Sequence, residues 1–213
     1  VMRIARVEDA NIKIDGRVDE PIWSEIPAFD RMTVTDPDTL EKPTHKTRTR
    51  ILYTDKGLYV AGEMEQPLNT LVERLSSRDE SINRDEIGFA IDSSGKGLYG
   101  YFFRLALGGS KTDGKIAPED NLTNQWDGPW VGETAVTDDG WNAEMFIPWS
   151  ALSMPDGGIE REISISVLRK VAYMDETYTW PPLPRSQARF ISAFEPVSVE
   201  GVNPRQQWEV YPY

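Results

Sequence analysis

Carboxylates, tryptophans and a single histidine are the side chains through which this chain of 213 residues could act on another molecule. The 35 Asp and Glu include the neighbouring pairs Asp79-Glu80, Asp85-Glu86, Glu119-Asp120 and Asp138-Asp139. A glycosidase holds two carboxyls about 5–9.5 Å apart across the scissile bond, a spacing that comes from the fold and not from adjacency. Adjacent acids read more simply as solvated turns, so glycoside hydrolysis stands behind binding as a reading of them. Acids on loops also suit structural calcium, which takes six to eight oxygens. Asp85, Asp92, Asp113 and Asp127 are the candidate ligands, with Glu119 and Asp120 close by, although no Asp-x-Asp-x-Asp-Gly loop is present. The seven tryptophans offer different chemistry, because an indole face stacks on the apolar C–H face of a pyranose. Trp126 and Trp130 flank Asp127-Gly128-Pro129 in a polar stretch, and Trp180 precedes Pro181-Pro182. These three, with Asp127, are candidate ligand contacts on loops; their alternative is to close the ends of the fold against water. Trp23 and Trp141 read as core.

Several chemistries are excluded. Without cysteine there are no disulfides, thiolate nucleophiles, cysteine-bound zinc sites or iron–sulfur clusters. His45, in the polar lead-in Glu41–Arg48, supports no His-rich metal site and leaves few routes to a Ser–His–acid triad. A net charge of −12 argues against nucleic acid, whose affinity rests on Lys and Arg neutralising phosphates. Gly95-Lys96-Gly97 lacks the following helix of a phosphate loop, so no nucleotide is expected. Arg48, Arg50, Arg74, Arg78 and Arg84 are surrounded by acids and read as a salt-linked face. No run of 18 apolar residues occurs, so no helical membrane span is expected.

The elements that must position these groups read as strands. Thr47–Tyr53 and Leu58–Glu65 flank Thr54-Asp55-Lys56-Gly57, and Trp130–Val136 and Trp141–Ile147 flank Asp138-Asp139-Gly140; both are hairpin signals. Asn11–Ile14, Glu86–Ile91, Tyr99–Leu107, Glu162–Val171, Tyr178–Trp180 and Phe190–Phe194 complete about ten predicted strands. Ile87, Phe89 and Ile91 share one face, as do Ile163, Ile165 and Val167, and Trp141, Ala143, Met145 and Ile147. Short helical turns are expected at Asp19–Ser24, with Asp19 as N-cap, at Pro148–Leu152 and within Leu68–Leu75. The fold class is all-β, an antiparallel β-sandwich or barrel of regularly spaced strands. Residues 1–205 read as one domain. Residues 206–213, which alternate and carry three aromatics, read as the start of a following strand in a longer protein.

Four segments in order resemble family 9 carbohydrate-binding modules and their DOMON-like relatives. They are Ile14-Asp15-Gly16-Arg17-Val18-Asp19-Glu20-Pro21-Ile22-Trp23, Asp55-Lys56-Gly57-Leu58-Tyr59-Val60, Arg84–Asp92, and Asp138-Asp139-Gly140-Trp141-Asn142-Ala143-Glu144-Met145-Phe146-Ile147-Pro148. Tyr101-Phe102-Phe103-Arg104, Gly108-Gly109, Asp113-Gly114 and Trp126-Asp127-Gly128-Pro129-Trp130 are similar to a bacterial subgroup in which the module precedes an outer-membrane β-barrel. The resemblance implies a jelly-roll or immunoglobulin-like sandwich and a non-catalytic role. It implies an oligo- or polysaccharide ligand, structural calcium, and a periplasmic or envelope location beside an adjoining outer-membrane barrel. Some DOMON-like relatives bind haem through His and Met, but an exposed loop His45 is not expected to do so. The alternative function is an interaction or plug-like domain of that barrel with no sugar. Arg104 falls where the family places an arginine, either as a donor to sugar hydroxyls or a carboxylate, or in a buried pair with Asp85, Glu86 or Asp92. In place of the family's sugar-clamping aromatic stands Ser81-Ile82-Asn83-Arg84, and Gly88 replaces a polar position of the central strand.

Overall fold

Period-2 alternation becomes sheet. The structure, a computed structural model, describes residues 1–204. Its strands in chain order are β1 (Met2–Arg3), β2 (Ala5–Arg6), β3 (Thr33–Asp36), β4 (Thr47–Tyr53), β5 (Gly57–Glu65), β6 (Glu86–Asp92) and β7 (Gly100–Ala106). There follow β8 (Lys111–Ala117), β9 (Asn121–Thr123), β10 (Val131–Thr137), β11 (Gly140–Pro148), β12 (Glu160–Val171), β13 (Glu176–Trp180) and β14 (Glu195–Glu200). They form two sheets. The larger runs β1-β14-β12-β6-β7-β8-β9, with β13 beside β12 and β3 beside β13; the smaller runs β10-β11-β5-β4-β2. All pairings are antiparallel except β1 with β14 and β2 with β4. The long β12 pairs with β6 along one side and with β14 and then β13 along the other. This is the all-β sandwich expected, with short helical turns.

The core lies between the sheets. The three predicted faces, Ile87/Phe89/Ile91, Ile163/Ile165/Val167 and Trp141/Ala143/Met145/Ile147, all point into it. Each large apolar side chain removed from water there contributes about 1.5–3 kcal/mol. The outer face of the smaller sheet is covered by the N-terminal segment, with Ile12, Val18, Ile22 and Trp23 packed on Leu52 and Ala61. Asn11–Ile14, expected as a strand, therefore lies across a sheet face, while β2 takes the edge of β4. Helix α1 (Pro21–Glu25) follows, with Glu20 and not Asp19 at the N-cap, because Pro21 occupies the first turn directly after it. Phe190–Phe194, also expected as a strand, is a 3-10 turn at Ile191–Ala193 that roofs part of the larger sheet. The predicted continuation at 206–213 lies outside the described residues.

Glu144 explains why the N-terminal and late-hairpin motifs go together. It stands on β11 facing outward, fully buried under the N-terminal segment. Its carboxylate accepts the backbone N–H of Asp15 (3.2 Å) and Gly16 (2.9 Å) and the Trp23 indole N–H (3.0 Å). Gly16 has φ +83°, and a Cβ there would stand 2.5 Å from the Thr134 backbone, so only glycine fits. Four of the five arginines expected in a salt-linked face are found with acids: Arg48 with Glu63 and Glu65, Arg50 with Glu63, Arg78 with Asp113, and Arg84 with Glu86; Arg74 forms no ion pair among the described residues.

Candidate ligand cleft on the outer face of the larger sheet

Because Ile87, Phe89 and Ile91 face inward, Gly88 and Ala90 face outward, and the register carries that parity across the sheet. Gly88 lies between Leu168 on β12 and Arg104 on β7; Ala90 lies between Ser166 and Phe102. Two small residues in the middle of the sheet leave a trough. Thr35 and Asp36 of β3 and Thr177 and Thr179 of β13 line it at one end, and Leu122 of β9 at the other. The 183–190 loop supplies a wall through Leu183, Arg185 and Phe190, of which Leu183 and Phe190 join Phe102 and Ile191 in a small apolar cluster. The cleft so formed encloses about 230 Å³.

Its polar groups are few. The Thr35 and Thr179 hydroxyls share a hydrogen bond of 2.5 Å. Arg185 reaches from the rim to Asp36 at 2.8 Å. Glu119 ties down the wall loop, accepting Phe190 N–H at 2.9 Å and the Ser192 hydroxyl at 2.8 Å. The Phe190 N–H is the main reason its carboxyl lies below the ordinary glutamate value. Arg104 is partly buried, and its guanidinium makes no hydrogen bond or ion pair among the described residues. The expected alternative, a pair with Asp85, Glu86 or Asp92, is not formed: Glu86 is taken by Arg84 at 3.0 Å, and the other two by backbone donors.

Arg104 and the three candidate tryptophans do not share this cleft. On β7, Phe102 and Arg104 face outward while Tyr101 and Phe103 face the core. Trp126 and Trp130 pack on the inward pair: Trp126 lies 4.8 Å from Tyr101, and Trp130 meets Phe103 edge-on at 5.4 Å. Trp130 is buried, and its indole N–H donates to Asp113 at 3.1 Å. Trp180 shares the inward parity of Tyr178 and stacks on Phe29 at 4.9 Å. The rings in the cleft are instead Phe102 and Phe190. Phe102 was recoverable from sequence, since alternation along β7 places it beside Arg104. Phe190, Arg185 and Asp36 come from segments far apart in sequence, and no local pattern joins them.

The four candidate calcium ligands do not fit a calcium site. Asp85 and Asp92 stand at opposite ends of β6, about 20 Å apart by strand rise. Asp85 accepts from Val72 N–H, Ala172 N–H and the Gln66 amide. Asp92 accepts the N–H groups of Ser94, Gly95 and Gly97 and the Ser94 hydroxyl, closing the 92–97 turn. Asp113 and Asp127 do come together, with Asp79, each offering an oxygen within 4.8 Å of the others. A guanidinium already serves that group: Arg78 binds Asp113 with two bonds of 3.1 and 2.7 Å and Asp127 at 3.3 Å. With Arg78 in place, the charge of Asp113 and Asp127 is already matched by a guanidinium, and Asp79 accepts the Asp113 N–H at 2.9 Å. His45 places Nε2 2.6 Å from the Tyr173 hydroxyl, and burial pushes its pKa below the ordinary value. Met64 and Met145 are buried in the core.

No family model matches the chain, and no curated protein matches it. Solved structures do. A family 9 carbohydrate-binding module from Caldicellulosiruptor kristjanssonii in complex with cellotriose has a TM-score of 0.64 at 13% identity, over 99% of this chain and 100% of that one. The family 9 module of the same organism in complex with glucose has a TM-score of 0.63 at 14% identity, over 99% and 100%. A candidate carbohydrate-binding protein from Bacteroides uniformis ATCC 8492 has a TM-score of 0.68 at 15% identity, over 92% and 97%. At these identities the likeness is one of fold, and it is the fold that the resemblance in sequence implied.

Proposed function

We propose that this chain is a non-catalytic carbohydrate-binding module that takes a saccharide in the outer-face cleft. The observation that carries the reading is the cleft's inventory: the half-buried ring of Phe190 backed by the buried Phe102, beside the threonine hydroxyls and one guanidinium unengaged among the described residues. Rings take the C–H faces of a sugar, and a few convergent polar groups orient its hydroxyls. The likeness in fold to modules solved with cellotriose and glucose supports the same reading. Hydrolysis is not supported, because Asp36 is the cleft's single carboxylate among the described residues and it is engaged by Arg185, whereas glycoside hydrolysis ordinarily uses two. The reading extends to place: the resemblance in sequence supports a periplasmic module ahead of an outer-membrane barrel, which fractionation of the full-length protein tests.

The binding test is calorimetry with mono- and oligosaccharides, including cellulose, xylan and pectin fragments. Saturable binding is expected for at least one of them. Phe190→Ala should weaken it about tenfold, the equivalent of about 1.4 kcal/mol of lost ring contact. Trp126→Ala, on the opposite side of β7, should leave the affinity of the folded protein unchanged. A flat response across the panel, or loss through Trp126 and not Phe190, overturns the proposal.

A further inference from the structure

This chain has 35 acidic residues, yet among the described residues none reaches Arg104. The reason lies in the register. Along the sheet its neighbours on the two adjoining strands are Gly88, which has no side chain, and Thr112, which has no charge. Beyond Gly88 comes Leu168. The nearby walls are the phenyl rings of Phe102 and Phe190 and the leucines 122 and 183. The cleft's own carboxylate, Asp36, is neutralised by Arg185 at the rim. What remains in a mostly apolar cleft is one partly buried cation without a counter-ion among the described residues, on a protein whose net charge is −12. Removing a guanidinium from water is unfavourable unless an anion or several acceptors replace the lost hydration. Planar Arg matches a carboxylate with two parallel bonds, a fit that single hydroxyls do not reproduce.

We infer that the preferred ligand is an acidic saccharide, a sugar whose carboxylate pairs with Arg104 while its ring lies against the half-buried Phe190. This rests on the cleft being the saccharide site, and it adds the charge of the ligand to that reading. The Thr35, Thr177 and Thr179 hydroxyls stand at the other end of the trough, where they would meet ring hydroxyls. Room for the second partner of the arginine exists because position 88 is glycine. A Cβ there would make only ordinary contacts, 3.5 Å from both Arg104 Cγ and Leu168 Cβ, so the backbone does not demand the glycine and its effect is to leave the cation uncovered.

The experiment is calorimetry of the intact chain with glucuronate and galacturonate, each beside its neutral counterpart, glucose and galactose. Each uronate is expected to bind at least about tenfold more tightly than its neutral hexose at low salt, with the advantage shrinking as salt rises. Arg104→Gln should abolish the preference. Arg104→Lys should keep part of it, since the charge remains but the two-bond geometry is lost. Gly88→Asp is the second variant: it supplies a carboxylate opposite Arg104, its Cβ makes only ordinary contacts, and it should remove the preference while the thermal transition is retained. Equal affinities for acid and neutral sugars, with Arg104→Gln and Gly88→Asp without effect, overturn the inference and leave the saccharide reading standing. Failure of both uronates to bind also overturns it, and the neutral oligosaccharides then decide whether the saccharide reading falls as well.

Discussion

Glu144→Ala is expected to lower the unfolding free energy by about 3–5 kcal/mol, read as an earlier urea midpoint with little change in slope. The carboxylate lies under the N-terminal segment, where Asp15 N–H, Gly16 N–H and the Trp23 indole N–H all donate to it. Alanine leaves those donors without an acceptor, and the Gly16 and Trp23 donors are buried, at about 1–3 kcal/mol for each. Glu144→Gln keeps an acceptor oxygen and should cost far less. A loss below about 1 kcal/mol in the alanine variant would show that the N-terminal segment is held by apolar packing alone.

The same residue sets a pH dependence with a definite sign. Burial pushes Glu144 up from the ordinary glutamate value to about 7, against the pull of its N–H donors. Glu20, whose Oε1 is buried with no hydrogen-bond partner, pushes in the same direction. A raised pKa means that the folded state binds the proton more tightly than the unfolded chain. The associated stability is full below the ordinary value near 4.5 and is lost as pH rises through about 7. Discounted for screening and for sharing of the proton with Glu20, the swing is about 1–2 kcal/mol. His45, shifted below its ordinary value, acts in the opposite sense on the acid side of 6.5. Asp15 and Glu119, both lowered, act only at more acid pH, around and below the carboxylate range. The difference between the wild-type and Glu144→Gln stability curves from pH 5 to 8 therefore isolates Glu144, and a flat difference would overturn the assignment.

Strands whose inward faces are apolar were legible because burial on one side writes alternation directly into the sequence, as in Ile163, Ile165 and Val167. The strand β8, Lys111–Ala117, was not legible: its buried positions are Asp113, Gly114 and Ile116, chosen by ion pairing and close approach more than by apolar alternation. β14 has alternating Val197 and Val199 but follows a phenylalanine-rich turn, and the apolar signal of Phe190 and Phe194 belongs to the roof of the cleft. The site divides in the same way. Arg104 and Phe102 are neighbours on one strand face and could be read together. The partners that make the cleft, Thr35, Thr179 and Phe190, meet through sheet order and loop return, which no local pattern encodes. Tryptophans near Asp127 read as loop platforms, but the parity of Tyr101 and Phe103 draws them inward.

Asp113→Ala should be the other large loss, about 3–5 kcal/mol, because it breaks a buried charged network from one side. Asp113 is fully buried, and its two oxygens accept from Arg78, from Gly128 N–H at 2.7 Å and from the Trp130 indole at 3.1 Å. Removing it leaves the Gly128 N–H and the buried Trp130 indole N–H without their acceptor and unties the loop that carries Trp126 and Asp127. Arg78→Met alone should also destabilise, since it leaves Asp113 buried without its cation, but the two losses should not add. The double variant should recover about 1–3 kcal/mol relative to their sum, the coupling expected of groups in direct contact. The network also predicts the response to metal. Calcium bound only by the folded state at a thousand times its Kd would add about 4 kcal/mol. With Arg78 already serving Asp113 and Asp127, millimolar calcium or a chelator should leave the wild-type thermal midpoint unmoved. A calcium-dependent rise in the wild type that is absent from Asp113→Asn would overturn this account and restore the acids to a metal site. Sensitivity of stability to Asp113 together with indifference to calcium would mark these carboxylates as the partners of Arg78 and of the Trp130 loop.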